Sequence, residues 1–158
     1  MQPAAQSFPD VLTSGPHWLS VGATVTLVMV CVLLHYESFR VLSRFVAAGQ
    51  GGRHRRRILV MMLSLLVAHV AEIWLFGAGY FLLLKQGAMG ALAGIPVRDL
   101  LDCIYFSAVT YTTLGFGDII PQGPIRFLAG TEALTGLLLV TWSASLTFVE
   151  MQRYWARG

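Results

Sequence analysis

The sequence predicts an all-α integral membrane protein: three transmembrane helices, with one re-entrant helix and loop between the second and third. Three observations predict it. Only 12% of the 158 residues are charged and 56% are hydrophobic, at a mean hydropathy of +0.67, whereas a soluble domain carries about 25% charged residues. Three apolar stretches are long enough to cross a hydrocarbon core, which takes roughly 17–25 helical residues. Between the last two lies a segment that is apolar but too short and too glycine-rich to cross. This balance argues against a soluble enzyme, a disordered chain or a nucleic-acid partner, and makes membrane lipids the solvent. Cys31 and Cys103 both sit in apolar runs, so no disulfide framework is indicated.

Residues 1–17 are polar, hold three prolines and no Lys or Arg, and read as an external tail. The first span runs from Trp18 to Leu34 without a charge and can continue through His35, Tyr36 and Glu37. A cleaved signal would want basic residues before it, so it reads as retained. With the basic loop that follows, it makes up residues 18–57. The second span, Ile58–Leu84, is interrupted only by His69 and Glu72; the third, Phe127–Val149, only by Glu132. Residues 151–158 are expected to be a short cytoplasmic tail. Eight of the eleven basic residues (Arg40, Arg44, Arg53, Arg55, Arg56, Arg57, Arg153 and Arg157) fall on one side of this arrangement. The excess of Lys/Arg marks the cytoplasm, which puts the N-terminus outside and the C-terminus inside. Arg53–Arg57 follow a glycine-rich turn rather than recurring every third residue of a span, as a voltage sensor would require; they suit anionic headgroups.

From Gly87 to Pro96 the sequence reads as an external loop. Asp99 to Thr112 is a short stretch of helix-compatible sequence with Asp99 or Asp102 as its N-cap. Thr113-Leu114-Gly115-Phe116-Gly117-Asp118 follows, and Pro121 and Pro124 close the segment. Non-helical backbone at membrane depth is tolerated only where it lines a wet cavity or is buried in protein. Gly115 and Gly117 permit positive φ at alternate positions, which can turn successive carbonyls toward one axis. Carbonyls of Thr113, Leu114, Gly115 and Phe116, with the Thr113 hydroxyl, then replace the water shell of a dehydrated cation.

Thr112 to Asp118 resembles the filter signature of the potassium channel superfamily. Tyr105-Phe106 ahead of it is similar to the pore helices of two-pore-domain potassium channels and of small prokaryotic ion-channel proteins. The resemblance covers residues 58–150 as outer helix, pore helix, filter and inner helix, and leaves the first span unaccounted for. It implies a homotetramer, since each chain supplies one filter strand, and passive K+ conduction across the plasma membrane, in a bacterium the inner one. The ion sites fall on Thr113 through Gly117, with K+ the permeant ion and no cofactor. Leu114 and Phe116 stand where valine and tyrosine are commoner; both keep the backbone carbonyl. Some relatives carry an acid at the position of Val109 that pairs with the filter aspartate, and here Tyr105 is the substitute partner expected for Asp118. The alternative is a weakly selective monovalent cation channel.

The remaining residues carry two readings each. Gly136, in the third span, is a gating hinge by resemblance or a close-packing glycine. Val140, Thr141, Ala144 and Ser145 recur at helical spacing and suit a wet cavity or helix packing. Glu72, with His69 one turn away, suggests a metal or proton-relay site, or a buried brace to hydroxyls of the short helix such as Ser107, Thr110 or Tyr111; the brace is preferred. Glu132 is expected to brace in the same way, and Thr112 to support the filter. A membrane enzyme using His69, Glu72 and His35 lacks a nucleophile and a third ligand of clear spacing.

Overall fold

The computed structural model describes residues 15–47 and 54–155. Within them the chain is mostly helical: α1 (Gly15–Ala47), α2 (His54–Leu84), β1 (Ala91–Gly94), α3 (Leu100–Tyr111), β2 (Ile119–Gln122) and α4 (Ile125–Trp155). Helices α1, α2 and α4 are long and apolar enough to cross a membrane, and α3 is a shorter apolar helix. The protein is therefore a membrane protein. Residues 1–14 of the tail expected at 1–17, the turn around Arg53 and the last three residues lie outside the described residues, whereas residues 15–17 of that tail are the first residues of α1.

All three long helices outrun the apolar stretches that announce them. Helix α1 continues to Ala47, so Arg40 and Arg44 stand on a helix rather than in the expected loop. Residues 35–47 hold no glycine or proline, and Glu37 and Arg40 pair at 2.5 Å across one turn. Charges end a hydrophobic run; they do not end a helix. Likewise α2 begins at His54, and α4 runs to Trp155, through most of the segment expected to be a tail.

A second correction concerns fold class. The expected external loop contains β1, which pairs antiparallel with β2, Gly94 opposite Ile119 and Ala91 opposite Gln122. The chain is thus helical with one small two-stranded sheet. Four-residue strands leave too little alternation to read from sequence. The sheet ties residues on both sides of α3 together, and the Ile125 amide continues the tie by donating to the Met89 carbonyl at 3.1 Å.

The core lies where α3 meets the long helices. Phe76 and Tyr80 of α2, Phe106 and Tyr111 of α3, Leu128 and Leu139 of α4 and Cys31 of α1 are all buried there. Tyr80 and Phe106 meet edge to face at 5.0 Å, a favoured aromatic geometry. Helix α1, which the resemblance left unassigned, packs on α2 and α4. Its Ser20 hydroxyl donates to the Pro124 carbonyl just before α4 begins.

Candidate functional site

Both aspartates proposed as caps are used at the start of α3. The Asp102 amide donates to Asp99 Oδ1 at 3.0 Å and the Asp99 amide to Asp102 Oδ2 at 3.3 Å, a reciprocal capping box. The helix is thereby fixed at its N-terminal end, and its other end delivers the loop 112–118. The Thr112 hydroxyl donates to the Ala108 carbonyl at 2.7 Å. The Thr113 amide reaches the Thr110 carbonyl at 2.9 Å, and the Leu114 and Gly115 amides both reach Val109, at 3.0 and 3.3 Å. Loop amides thus satisfy carbonyls that a helix C-terminus would otherwise leave open.

Beyond Thr112 the backbone alternates in hand. Thr113, Gly115 and Gly117 have φ of 59°, 58° and 79°. The two glycines adopt this freely. Thr113 does not: a β-branched residue at positive φ is strained, and strain of this sort persists only where surroundings impose it. Sequence reasoning anticipated the two glycines and missed Thr113. All residues from Thr112 to Gly117 are exposed in the chain, with Leu114 at 58% and Phe116 at 64%, so two large apolar side chains have little cover within it.

Asp118 ends the loop. Its Oδ2 accepts from the Tyr105 hydroxyl at 2.6 Å and its Oδ1 from the Ile119 amide at 3.0 Å, while its carbonyl accepts from the Ile95 amide at 3.0 Å. The pairing with Tyr105 is the one suggested from sequence. The bond to the Asp118 carboxylate raises the Tyr105 phenol above its ordinary pKa.

Behind α3 lie two fully buried acids. Glu132 Oε1 lies 2.5 Å from the Ser107 hydroxyl, and its Oε2 accepts from Tyr80 at 2.5 Å. Ser107 also donates to the Ile73 carbonyl at 2.9 Å. Glu72 Oε2 accepts from the Tyr111 hydroxyl; of the three hydroxyls suggested for Glu72, Tyr111 is the partner, Ser107 belongs to Glu132, and Thr110 takes no part in either bond. Two histidines complete the second cluster. His35 Nδ1 lies 2.9 Å from Glu72 Oε1, and His69 Nδ1 lies 3.1 Å from Oε2 and 3.0 Å from the Tyr111 hydroxyl. Both Nε2 atoms converge on Ser143 Oγ, at 3.0 Å from His69 and 3.2 Å from His35. Glu72, Tyr111, His69, Ser143 and His35 therefore close a ring that joins all four helices. Ser143, Tyr80 and the Trp142 ring, tilted against His35 at 5.4 Å, were not singled out in the sequence; only the register of one helix against another reveals them.

Gly136 lies against the end of α3: a Cβ there would stand 2.1 Å from the Tyr111 carbonyl oxygen. The geometry gives it the close-packing role. Val140, Thr141, Ala144 and Ser145 are all exposed in the chain, on the side of α4 away from buried Leu139 and Ser143. The Thr141 and Ser145 hydroxyls donate back to carbonyls of their own helix, at 2.9 and 3.0 Å.

Comparisons with known proteins agree with one another. Over 82 residues the chain is 34% identical to the inward rectifier potassium channel Kirbac3.1 of Paramagnetospirillum magnetotacticum, a stretch covering 46% of this chain and 28% of that protein. This chain thus matches little more than a quarter of the relative's length. No solved structure matches it. A family model described as an ion channel matches residues 60–153, more than half of the chain. Because that match runs from α2 through α3 and the loop 112–118 to the end of α4, the chain belongs to the ion channel family.

Proposed function

We propose that four copies of this chain surround a K+-selective pore, with α3 re-entering the membrane and the loop Thr113–Gly117 as the filter strand. One observation carries the reading: positive φ at every second residue, Thr113, Gly115 and Gly117, on exposed backbone at the C-terminal end of a short apolar helix. With the amides of 112–115 committed to the helix end, the loop has carbonyls to offer an approaching ion. Backbone that alternates in hand turns them to one side, and four such strands make rings of oxygen that stand in for hydration. The negative end of the α3 dipole, at Thr110–Thr112, adds a favourable field for a cation. The name of the relative, a potassium channel, supports the choice of ion.

In this reading Asp118 and Tyr105 brace the outer mouth, Thr112, Glu72 and Glu132 hold the filter from behind, and the exposed face of α4 carrying Val140, Thr141, Ala144 and Ser145 lines the inner pathway. The exposed side chains of Leu114 and Phe116 are covered by neighbouring subunits. The N-terminus lies outside a plasma membrane and the C-terminus inside, following the basic residues. Nothing in the reading calls for bond-making chemistry.

The test is purified protein in liposomes under opposed K+ and Na+ gradients. The reversal potential is expected to follow the K+ gradient, and Gly115→Ala, which forces a Cβ onto a φ of 58°, is expected to abolish the current without preventing assembly. A reversal potential midway between the two gradients gives the weakly selective channel instead. Silence under every applied voltage, pH and tension defeats the proposal.

A further inference from the structure

We propose that His35, His69 and Glu72 form a binding site for a transition-metal dication of the Zn2+ type, built between α1 and α2 behind the end of α3. Their donor atoms all lie within 4.8 Å of one another. His35 Nδ1 stands 2.9 Å and His69 Nδ1 3.1 Å from the two Glu72 oxygens. A tetrahedral Zn2+ with bonds of about 2.0–2.2 Å holds its donors roughly 3.3–3.6 Å apart, so ligation requires the two Glu72 contacts to lengthen by a few tenths of an ångström and any donor pair at the 4.8 Å limit to close by about 1 Å. Two histidines and one glutamate are a known Zn2+ donor set. The Tyr111 oxygen lies 3.0 Å from His69 Nδ1 but is hydrogen-bonded to Glu72, so water supplies the fourth ligand unless that bond is given up.

The surroundings strengthen the assignment. A ligating histidine needs an acceptor for its other ring N–H, which fixes tautomer and orientation. When both Nδ1 atoms turn to a metal, both protons reside on Nε2, and both Nε2 atoms face Ser143 Oγ, at 3.0 and 3.2 Å. A hydroxyl oxygen has two lone pairs and can accept both, so one serine orients both ligands. Trp142 beside His35 shields the site from water. Only His69 is partly open, its side chain 14% exposed against 0% for Glu72 and His35, which gives an ion its approach. Metal binding requires the carboxylate ionised and both Nδ1 lone pairs free, so it releases protons and strengthens as pH rises. An ion here also competes for the Glu72 oxygen that Tyr111 holds, reaching the root of the loop 112–118. That consequence rests on the channel reading, whereas the binding does not.

Detergent-solubilised protein, stripped with chelator, is titrated with Zn2+ against a chromogenic competitor, with bound metal counted after desalting. Co2+ replaces Zn2+ in a second series, where intense visible absorption reports tetrahedral coordination. One metal per chain is expected, with affinity falling at least roughly tenfold in His69→Gln and in Glu72→Gln, and unchanged in His17→Gln. The Co2+ series uses the wild-type chain alone, so it stands even where a buried substitution prevents folding. Absence of uptake, equal uptake in the variants, an octahedral Co2+ spectrum, or a cluster that responds to protons and to no metal would each overturn the proposal. All these readings are taken without ion flux, so they stand apart from the test of conduction.

Discussion

Ser107 has a single hydroxyl proton and two acceptors within reach, the Ile73 carbonyl at 2.9 Å and Glu132 Oε1 at 2.5 Å. Every group is satisfied when Glu132 brings a proton of its own: Glu132 donates to Ser107, Ser107 to Ile73, and Tyr80 to the other Glu132 oxygen. An amide can replace a neutral acid in that scheme, donating to Ser107 and accepting from Tyr80. Glu132→Gln is therefore expected to change unfolding stability by less than about 1 kcal/mol, whereas Glu132→Ala, which orphans a buried hydroxyl and opens a cavity, is expected to cost about 2–5 kcal/mol. Thermal denaturation in detergent compares them; equal losses would refute the shared proton. At the surface, Tyr105 gives a pH prediction. Its phenol is held protonated by Asp118 and its pKa is raised in the folded chain, so the bond's contribution is complete below the ordinary tyrosine value of about 10 and disappears as pH rises through the folded one. Difference absorbance between wild type and Tyr105→Phe should show a tyrosine ionising above the ordinary tyrosine value. That pairing was legible because the motif fixed Asp118 and the resemblance, with no acid at Val109 to pair with it, left Tyr105 as the substitute. The partners of Glu72 were legible in part: His69 followed from helical spacing and Tyr111 was among the hydroxyls suggested, whereas the bond to His35 and the closure of the ring through Ser143 depend on helix register that no local pattern encodes.

The ends of elements follow rules different from those that reveal their middles. Hydropathy locates what is buried in lipid, and backbone propensity decides where a helix stops; the two disagree for α1, where a polar, glycine-free stretch extends the helix to Ala47. The start of α3 was legible because capping is local chemistry, and the β1–β2 pair was not, since its register comes from contacts across the intervening helix and loop. At the crossing of α3 and α4, Gly136 allows the Tyr111 carbonyl to approach as far as it does. A methyl at 2.1 Å from that oxygen must push the helices apart, so Gly136→Ala is expected to destabilise the chain by about 1–3 kcal/mol. It should also alter conduction by displacing Tyr111. An unchanged midpoint with altered open probability would return Gly136 to the role of a hinge.

At the scale of the whole molecule, the question is what covers the apolar surface of α4. Leu134, Leu137 and Leu138 are each half exposed or more, and the same helix presents Val140, Thr141, Ala144 and Ser145 to the outside. Lipid can cover the first set at no cost, but hydroxyls gain nothing from hydrocarbon, and the proposed axis shared by four subunits would give them water. The two kinds of cover can be told apart chemically. Both native cysteines are buried, Cys31 at 0% and Cys103 at 1%, so wild type should be nearly inert to a membrane-impermeant thiol reagent. If α4 lines the inner pathway, Thr141→Cys and Ser145→Cys should react when the reagent is applied from the side of the C-terminus, and each modification should reduce current because a bulky group then stands in the ion path. Leu139→Cys, on the buried face, should stay silent, as should reagent applied from the side of β1 and β2. Reaction without loss of current would place Thr141 and Ser145 at a subunit boundary instead, and reaction from the opposite side would invert the topology inferred from the arginines. The arginines and the hydroxyl face are independent features of the sequence, so agreement between them would fix orientation and axis together.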